Sequence, residues 1–574
     1  MSIQKLTFGK PEALTPSRFC PEFRGCGADE QRLPSGSLPP IGFRQTPRGC
    51  VLELPFSEQE EYYGFGLQLH SFGHKNRKLT LRVNSDPLFS TGDSHAPVPF
   101  FVCTAGYGVF VDTARYAEFY MGVQRVTSAT RGESGHSADN TRELYTLRDS
   151  GDERVIAIHI PSAAGVDLYW IEGENILDVV RQYNRMAGGG PEIPDWGLGT
   201  YYRCHLDADA HSVMQTADYL HGHGLPCSVI GLEPHWQTRS YSCSYIWSEK
   251  FPPDLRRKME AHLAGRGLHL NLWQHAFVHP DSPLYDAIGE GCGSYKVWGG
   301  KVPDFAVPHT QHAFAAYQSE AQVSDVTDGF KLDECDGSDY TRDWSFPNCS
   351  EFPSGLDGEQ YHSLFGMLYA RAALAALSGR PTFGQCRSMG ALATSLPFAL
   401  YSDLYDHRAF IRGCVNSGFS GLLWAPELRH GESRSDLIRR LQTAVFSAQC
   451  MFNGWYCTEA PWIGLDCEDE VRELLCLRER LRPMLRRAYD AYRADGTPPV
   501  RALVCEYTRD RETWEIDDEY LFCENLLVAP MTAEQESRKV YLPAGDWADF
   551  FTGERVEAGW REYAGDGIPV YRRL

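Results

Sequence analysis

Asp328-Gly-Phe-Lys-Leu-Asp-Glu-Cys-Asp336 reads as a short buried strand that ends in carboxylates. Phe330 and Leu332 alternate with Lys331 and Asp333, so one face is apolar and the other carries a cation and an acid to the strand's C-terminal end. In a barrel of parallel strands, reacting groups gather at that end. Asp-rich strand ends also make ordinary turns, so the neighbouring sequence has to decide between the two readings.

Outward from this stretch, short apolar runs alternate with helical patterns. The strands are read at Cys227–Leu232, Leu268–Trp273, Gly329–Leu332, Pro381–Gly384 and Gly421–Trp424. Helices are read near 254–264, 310–322, 358–377, 407–416 and 434–449. Repeated βα units imply a parallel sheet, and their number favours an α/β fold with a closed (β/α)8 TIM barrel over residues 191–495. Residues 174–190 form a linking helix that Gly188-Gly-Gly-Pro191 terminates. Ahead of it, runs such as Leu79–Val83, Phe100–Thr104, Tyr107–Asp112 and Arg154–Ile160 recur at sandwich intervals and place an N-terminal antiparallel β-sandwich within 1–173. Its first 50 or so residues, rich in Pro and Gly, read as an irregular lead-in. Leu526–Pro530 and Lys539–Pro543, among Gly-rich turns, place a C-terminal β module over 496–574.

Composition narrows the function. A net charge of -21 argues against nucleic acid or an anionic membrane as partner and suits a neutral small molecule. Eighteen cysteines without Cys-x-x-Cys pairs or a Cys/His cluster point to reduced thiols in a cytoplasm, and no metal or other cofactor is implied. No apolar run of leader or membrane-spanning length is present, so the expectation is a soluble, unexported chain. No Gly-rich loop followed by Lys-Ser/Thr suggests a nucleotide. A homo-oligomer is compatible with this composition.

Several segments together resemble glycoside hydrolase family 31, of the α-glucosidase and α-xylosidase type, from about residue 60 to the chain's last residues. They are Tyr62-Tyr-Gly-Phe-Gly66, Gly106-Tyr-Gly-Val-Phe110, Trp196-Gly-Leu-Gly199, Glu233-Pro-His-Trp236, Val297-Trp-Gly-Gly300, Asp304-Phe-Ala-Val-Pro308, Leu526-Leu-Val-Ala-Pro530, Tyr541-Leu-Pro-Ala-Gly-Asp-Trp547 and Ile568-Pro-Val-Tyr-Arg572. Their order and spacing carry the resemblance. In that family the strand holding Asp333 bears the nucleophile. The second carboxylate follows an Arg-Ser by sixteen residues from the Arg; here Arg387-Ser388 leads to Asp403, with Asp406 as a rival three residues on.

Breaking a glycosidic bond needs an anion on one side of the anomeric carbon and a proton donor on the other. The resemblance implies that Asp333 attacks the carbon and that Asp403 protonates the leaving oxygen and then deprotonates water, the pair lying about 5–5.5 Å apart in a retaining enzyme. Asp333 must stay ionised, with Lys331 and Arg387 as candidates to keep it so, and Asp403 should be the drier carboxyl. By resemblance, Glu233 stands where an Asp holds the 4-hydroxyl, Trp298 where an aromatic forms a wall, Arg387 where an Arg binds ring hydroxyls, and Asn453 where many members have a His. Asp336 is counted with this lining. For Trp298 the plain alternative is a packed core aromatic, and for Asn453 a helix C-cap.

There are departures. Leu400-Tyr-Ser-Asp403 replaces the family's Trp-x-Gly-Asp, and Ser395-Leu396 stands where a second Arg is expected. Lys331 replaces an aromatic of the α-glucosidase pattern and resembles the α-xylosidase branch and some others. The expectation is therefore a retaining exo-acting α-glycosidase taking a terminal α-glucoside or α-xyloside from a small oligosaccharide or glycoside. Its alternatives are a transglycosylase, a hydrolase of α-galactosides or modified sugars, and a non-catalytic carbohydrate-binding relative.

Overall fold

The computed structural model describes residues 2–25, 38–85, 87–125, 153–338 and 344–574. Eight parallel strands form the central sheet: β1 (Thr200–Arg203), β2 (Val229–Leu232), β3 (His269–His275), β4 (Thr327–Asp333), β5 (Gly384–Cys386), β6 (Phe398–Leu400), β7 (Glu427–Leu428) and β8 (Cys450–Asn453). Each pairs with its sequence neighbours from β1 to β6, and β8 joins β1 to β7. The remaining seam closes through Leu400, whose N–H donates to Leu423 O at 2.7 Å and whose carbonyl accepts from Ala425 N at 2.9 Å. The strands are buried on both faces, as a parallel sheet wrapped by helices requires, which is why Val229-Ile-Gly-Leu232 is a continuous apolar run.

The barrel reading holds, with gaps in its detail. The sequence reading names neither β1, β6 nor β8, nor the helices Ala210–Gly222 and Glu468–Asp495. It sets the β7 region at Gly421–Trp424; the structure pairs Trp424 with Leu400 and puts the strand proper at Glu427–Leu428. The linking helix is Ile176–Met186. Asn175 caps it by accepting from Asp178 N at 2.9 Å, and Gly188 and Gly189 end it at φ 96° and 79°.

Two five-stranded antiparallel sheets form the N-terminal sandwich and share a core that includes Leu52, Phe101, Phe119, Ile158 and Leu168. The irregular lead-in is corrected here. Ser2–Gly9 pairs residue for residue with Gly165–Glu172, and Gly42–Thr46 pairs with Gly49–Pro55. Leu6 and Phe8 pack toward the core while Lys5 and Thr7 are exposed, a period-two pattern outweighed in the sequence by the Pro and Gly around it. Part of that lead-in, residues 26–37, lies outside the described residues. The C-terminal residues form a six-stranded sheet and a two-stranded one. A single core runs from Tyr63 and Phe100 of the sandwich through the barrel to Phe522 and Val528, so the loops of the sandwich are held against the barrel.

Candidate active site

The C-terminal ends of the barrel strands carry an unbroken run of alternating charges. Arg203, ending β1, bonds Glu233, which follows β2, and also donates to Asn271 Oδ1 at 2.6 Å. It can cross the barrel because position 231 is glycine, where a Cβ would lie 2.7 Å from the Arg203 side chain. Glu233 Oε1 is 3.7 Å from Lys331 Nζ on β4, and Lys331 donates to Glu427 Oε1 on β7 at 3.0 Å. Glu427 Oε2 is 3.3 Å from Arg429, which bonds Asp403 Oδ1. The other oxygen of Asp403 is held by Arg387 Nη1, and Arg387 Nε donates to Asp336 Oδ2 at 2.9 Å and stands 3.8 Å from Asp333 Oδ1. One guanidinium thus joins three carboxylates from two different loops. Asp333 also accepts from Trp273 Nε1 at 2.6 Å and from its neighbour Glu334 N at 2.9 Å.

Residues 190–488 match the Glycosyl hydrolases family 31 TIM-barrel domain, and residues 496–574 match the Glycosyl hydrolase family 31 C-terminal domain. The chain belongs to glycosyl hydrolase family 31. Members of this family are glycoside hydrolases acting on α-glycosides. The chain is similar to an α-xylosidase of Emericella nidulans, 24% identical over 597 residues that cover 96% of this chain and 71% of that one. It is also similar to an isomaltosyltransferase of Sporosarcina globispora, 21% identical, where 87% of this chain spans 49% of the relative. Among solved structures it superposes on a Flavobacterium johnsoniae dextranase complexed with glucose with a TM-score of 0.78 at 19% identity, covering 93% of this chain and 67% of that one. At that identity the likeness speaks to the fold.

Of the family residues expected from sequence, Asp333, Asp336, Arg387, Asp403, Lys331 and Glu233 all lie in the charge network. Asn453 joins it as well, donating to Glu427 Oε1 at 2.5 Å. It is the last residue of β8, so the helix C-cap alternative is set aside. Asp406 is elsewhere: it caps the helix His407–Asn416 by accepting from Ala409 N at 2.7 Å. Trp298 sits one layer out, half-buried, with its ring 5.0 Å from Tyr241 and 5.2 Å from His275; Tyr241 in turn packs on Trp273. It occupies the tight turn between Cys292–Val297 and Gly300–Pro303, left-handed at φ 49°, where the turn favours glycine and a bulky residue is strained.

The structure alters two electrostatic expectations. Lys331 makes its ion pairs with Glu233 and Glu427 and none with Asp333 among the described residues, though its charge still favours the ionised form of Asp333. Nor is Asp403 the drier carboxyl, its side chain being 49% exposed against 13% for Asp333. Burial pushes Asp333 above its ordinary range, with Arg387 opposing and Asp403 adding to the rise. Burial also acts on Asp403, but Arg387 and Arg429 outweigh it and hold that carboxyl below the usual range.

The sequence reading missed Trp273, Arg203, Glu427, Arg429 and His95. His95 comes from the sandwich. Its Nδ1 is 2.7 Å from Asp336 Oδ2 and its Nε2 2.7 Å from Ser402 Oγ, so the N-terminal domain buttresses the site. A separation of 241 residues from Asp336 left no local pattern to find. Glu427 lies in the short strand β7 and Arg429 directly follows it, and the surrounding sequence Trp424-Ala-Pro-Glu-Leu-Arg429 shows no strand periodicity.

Proposed function

We propose that the chain is a retaining exo-acting α-glycosidase that removes a terminal α-xylosyl or α-glucosyl residue by double displacement. The reading rests on one observation, the Arg387 guanidinium that holds Asp403 on one side and stands beside Asp333 and Asp336 on the other. An oxygen of Asp333 bonds to the anomeric carbon as the carbon–oxygen bond to the aglycone breaks, and the departing oxygen takes its proton from Asp403. Asp403, now a carboxylate, takes a proton from water; the water oxygen bonds to the carbon and Asp333 leaves. Trp273 N–H stabilises Asp333 whenever it is an anion. Because Asp403 is gripped by two guanidiniums, binding of the sugar must loosen one of them before a proton can sit on that carboxyl. Glu233, Lys331, Glu427 and Asn453 would bind sugar hydroxyls, with Trp298 and Tyr241 as the aromatic wall. Lys331 and the similarity to an α-xylosidase favour xylose within this class.

A transglycosylase shares the first half-reaction, and the similarity to an isomaltosyltransferase keeps it as the second reading. Adding acceptor sugar and analysing products separates the two. The unpaired state of every cysteine among the described residues supports a reducing compartment, the cytoplasm. We place the sandwich at 1–173, the linking helix at 174–190, the barrel at 191–495 and the C-terminal module at 496–574. The test is a panel of p-nitrophenyl α-glycosides: xyloside, glucoside, galactoside and N-acetylgalactosaminide. Turnover of the xyloside or glucoside, lost by about ten-thousand-fold in Asp333→Ala, is expected. An unchanged rate in that variant would remove the mechanism, and inertness toward all four would shift the reading to a modified sugar or to binding alone.

A further inference from the structure

Arg429 stands out because it is placed for its charge at a cost. Its Nη2 alone bonds Asp403 Oδ1, approaches Glu427 Oε2 at 3.3 Å and reaches Ser402 O at 3.4 Å, while its Nε is buried with no hydrogen-bond partner among the described residues. A buried N–H left without a partner is costly, so packing alone gives no reason for a guanidinium here. Arg429 is also the one link between Asp403 and the run Glu427, Lys331, Glu233 among the ion pairs of the described residues.

We propose that Arg429 is a positioning residue for Asp403: it fixes the orientation of the carboxylate through Oδ1 and sets how readily that carboxylate takes up and gives away its proton. This rests on the reading of Asp403 as acid and base. Two other cations face Asp403, Arg387 from the loop after β5 and Lys331 from β4. The acidic groups around it are Asp333 and Glu334 at the end of β4, Glu427 on β7 and Tyr401 beside β6. Without Arg429, Glu427 and Asp403 lose the cation between them, and the mutual repulsion of two carboxylates raises the proton affinity of both. The sign follows. A tighter proton on Asp403 keeps the acid form to higher pH and makes its carboxylate form scarcer for the water-activating second step.

The test is the pH profile of kcat/KM for Arg429→Gln and Arg429→Lys, with an aryl α-glycoside of poor leaving group and one of good leaving group. For Arg429→Gln the basic limb should move up by about one pH unit or more, a tenfold change in proton affinity. At neutral pH, kcat on the good leaving group should fall. Arg429→Lys, which keeps the charge but not the fork, should lie between. Limbs that coincide with those of the parent in both variants, whatever happens to thermal stability, would overturn the proposal; if Arg429→Gln does not fold, the limbs of Arg429→Lys decide. Asp403→Asn separates this from failure of the underlying reading. If that variant still turns over the poor leaving group, Asp403 is not the acid and both claims fall; if it is inactive while the Arg429 limbs stay put, only the role of Arg429 falls.

Discussion

Asp333 is held by donors on both of its oxygens, and the indole of Trp273 is the one that can be removed without touching a charge. A hydrogen bond to an ionised group is worth about 1.5–3 kcal/mol, so Trp273→Phe should lower kcat/KM roughly 10- to 100-fold. Losing a donor raises the carboxylate's proton affinity, so the acidic limb of the profile should move to higher pH; an unmoved limb would mean that the indole only packs. Lys331 is buried between Glu233 and Glu427, and Lys331→Met leaves two carboxylates facing one another, a loss of about 3–5 kcal/mol measurable by denaturant unfolding. At this scale the sequence shows the groups that sit on recognisable strand ends. Asp333 and Lys331 are legible from alternation, and Arg387 and Asp403 from the family pattern that Arg387-Ser388 and the Asp sixteen residues on resemble. It hides those whose role depends on what crosses the barrel: Arg203 meets Glu233 over Gly231, and Arg429 meets Asp403 from the far side of the closing seam.

Among elements, the helix His407–Asn416 bears on the two aspartates that sequence left open. Asp406 caps it, and Asp406→Ala should cost about 1 kcal/mol of stability while leaving kcat within about twofold. Loss of turnover with unchanged stability would reverse that assignment. The elements legible in the sequence are those with a long pattern and a cap or breaker at the end, such as Ile176–Met186 between Asn175 and Gly188. The strands that escaped are three or four residues long, Thr200–Arg203, Phe398–Leu400 and Cys450–Asn453, too short for any period to declare itself. Ser2–Gly9 escaped for another reason: its partner, Gly165–Glu172, is more than 150 residues away, and strand pairing of that range is a tertiary effect.

At the scale of the whole molecule, burial lowers four histidines among the described residues: His74, His275 and His407 have pKa values lowered to about 3, and His362 to about 4. In the unfolded chain each takes up a proton near pH 6.5, so the stability they contribute is present above that pH and is lost as pH falls toward 4, at about 1.4 kcal/mol per pH unit each. Burial also raises carboxyls, among them Asp333, Glu334 and Glu519, the last to about 8; these oppose the histidines, but each only between its ordinary value and its raised one. Thermal unfolding should therefore shift to lower temperature from about pH 6 downward, and a constant Tm between pH 7 and 5 would contradict it. The three-part order of sandwich, barrel and β module is readable from changes in period along the chain, whereas the contact of His95 with Asp336 is a property of the assembled whole. The most direct measurement is to trap the glycosyl enzyme with a 5-fluoro-α-glycosyl fluoride and map the label by peptide mass spectrometry. A single adduct on Asp333 is expected; an adduct on another residue, or turnover releasing the inverted anomer first with no adduct, would contradict the double displacement at Asp333.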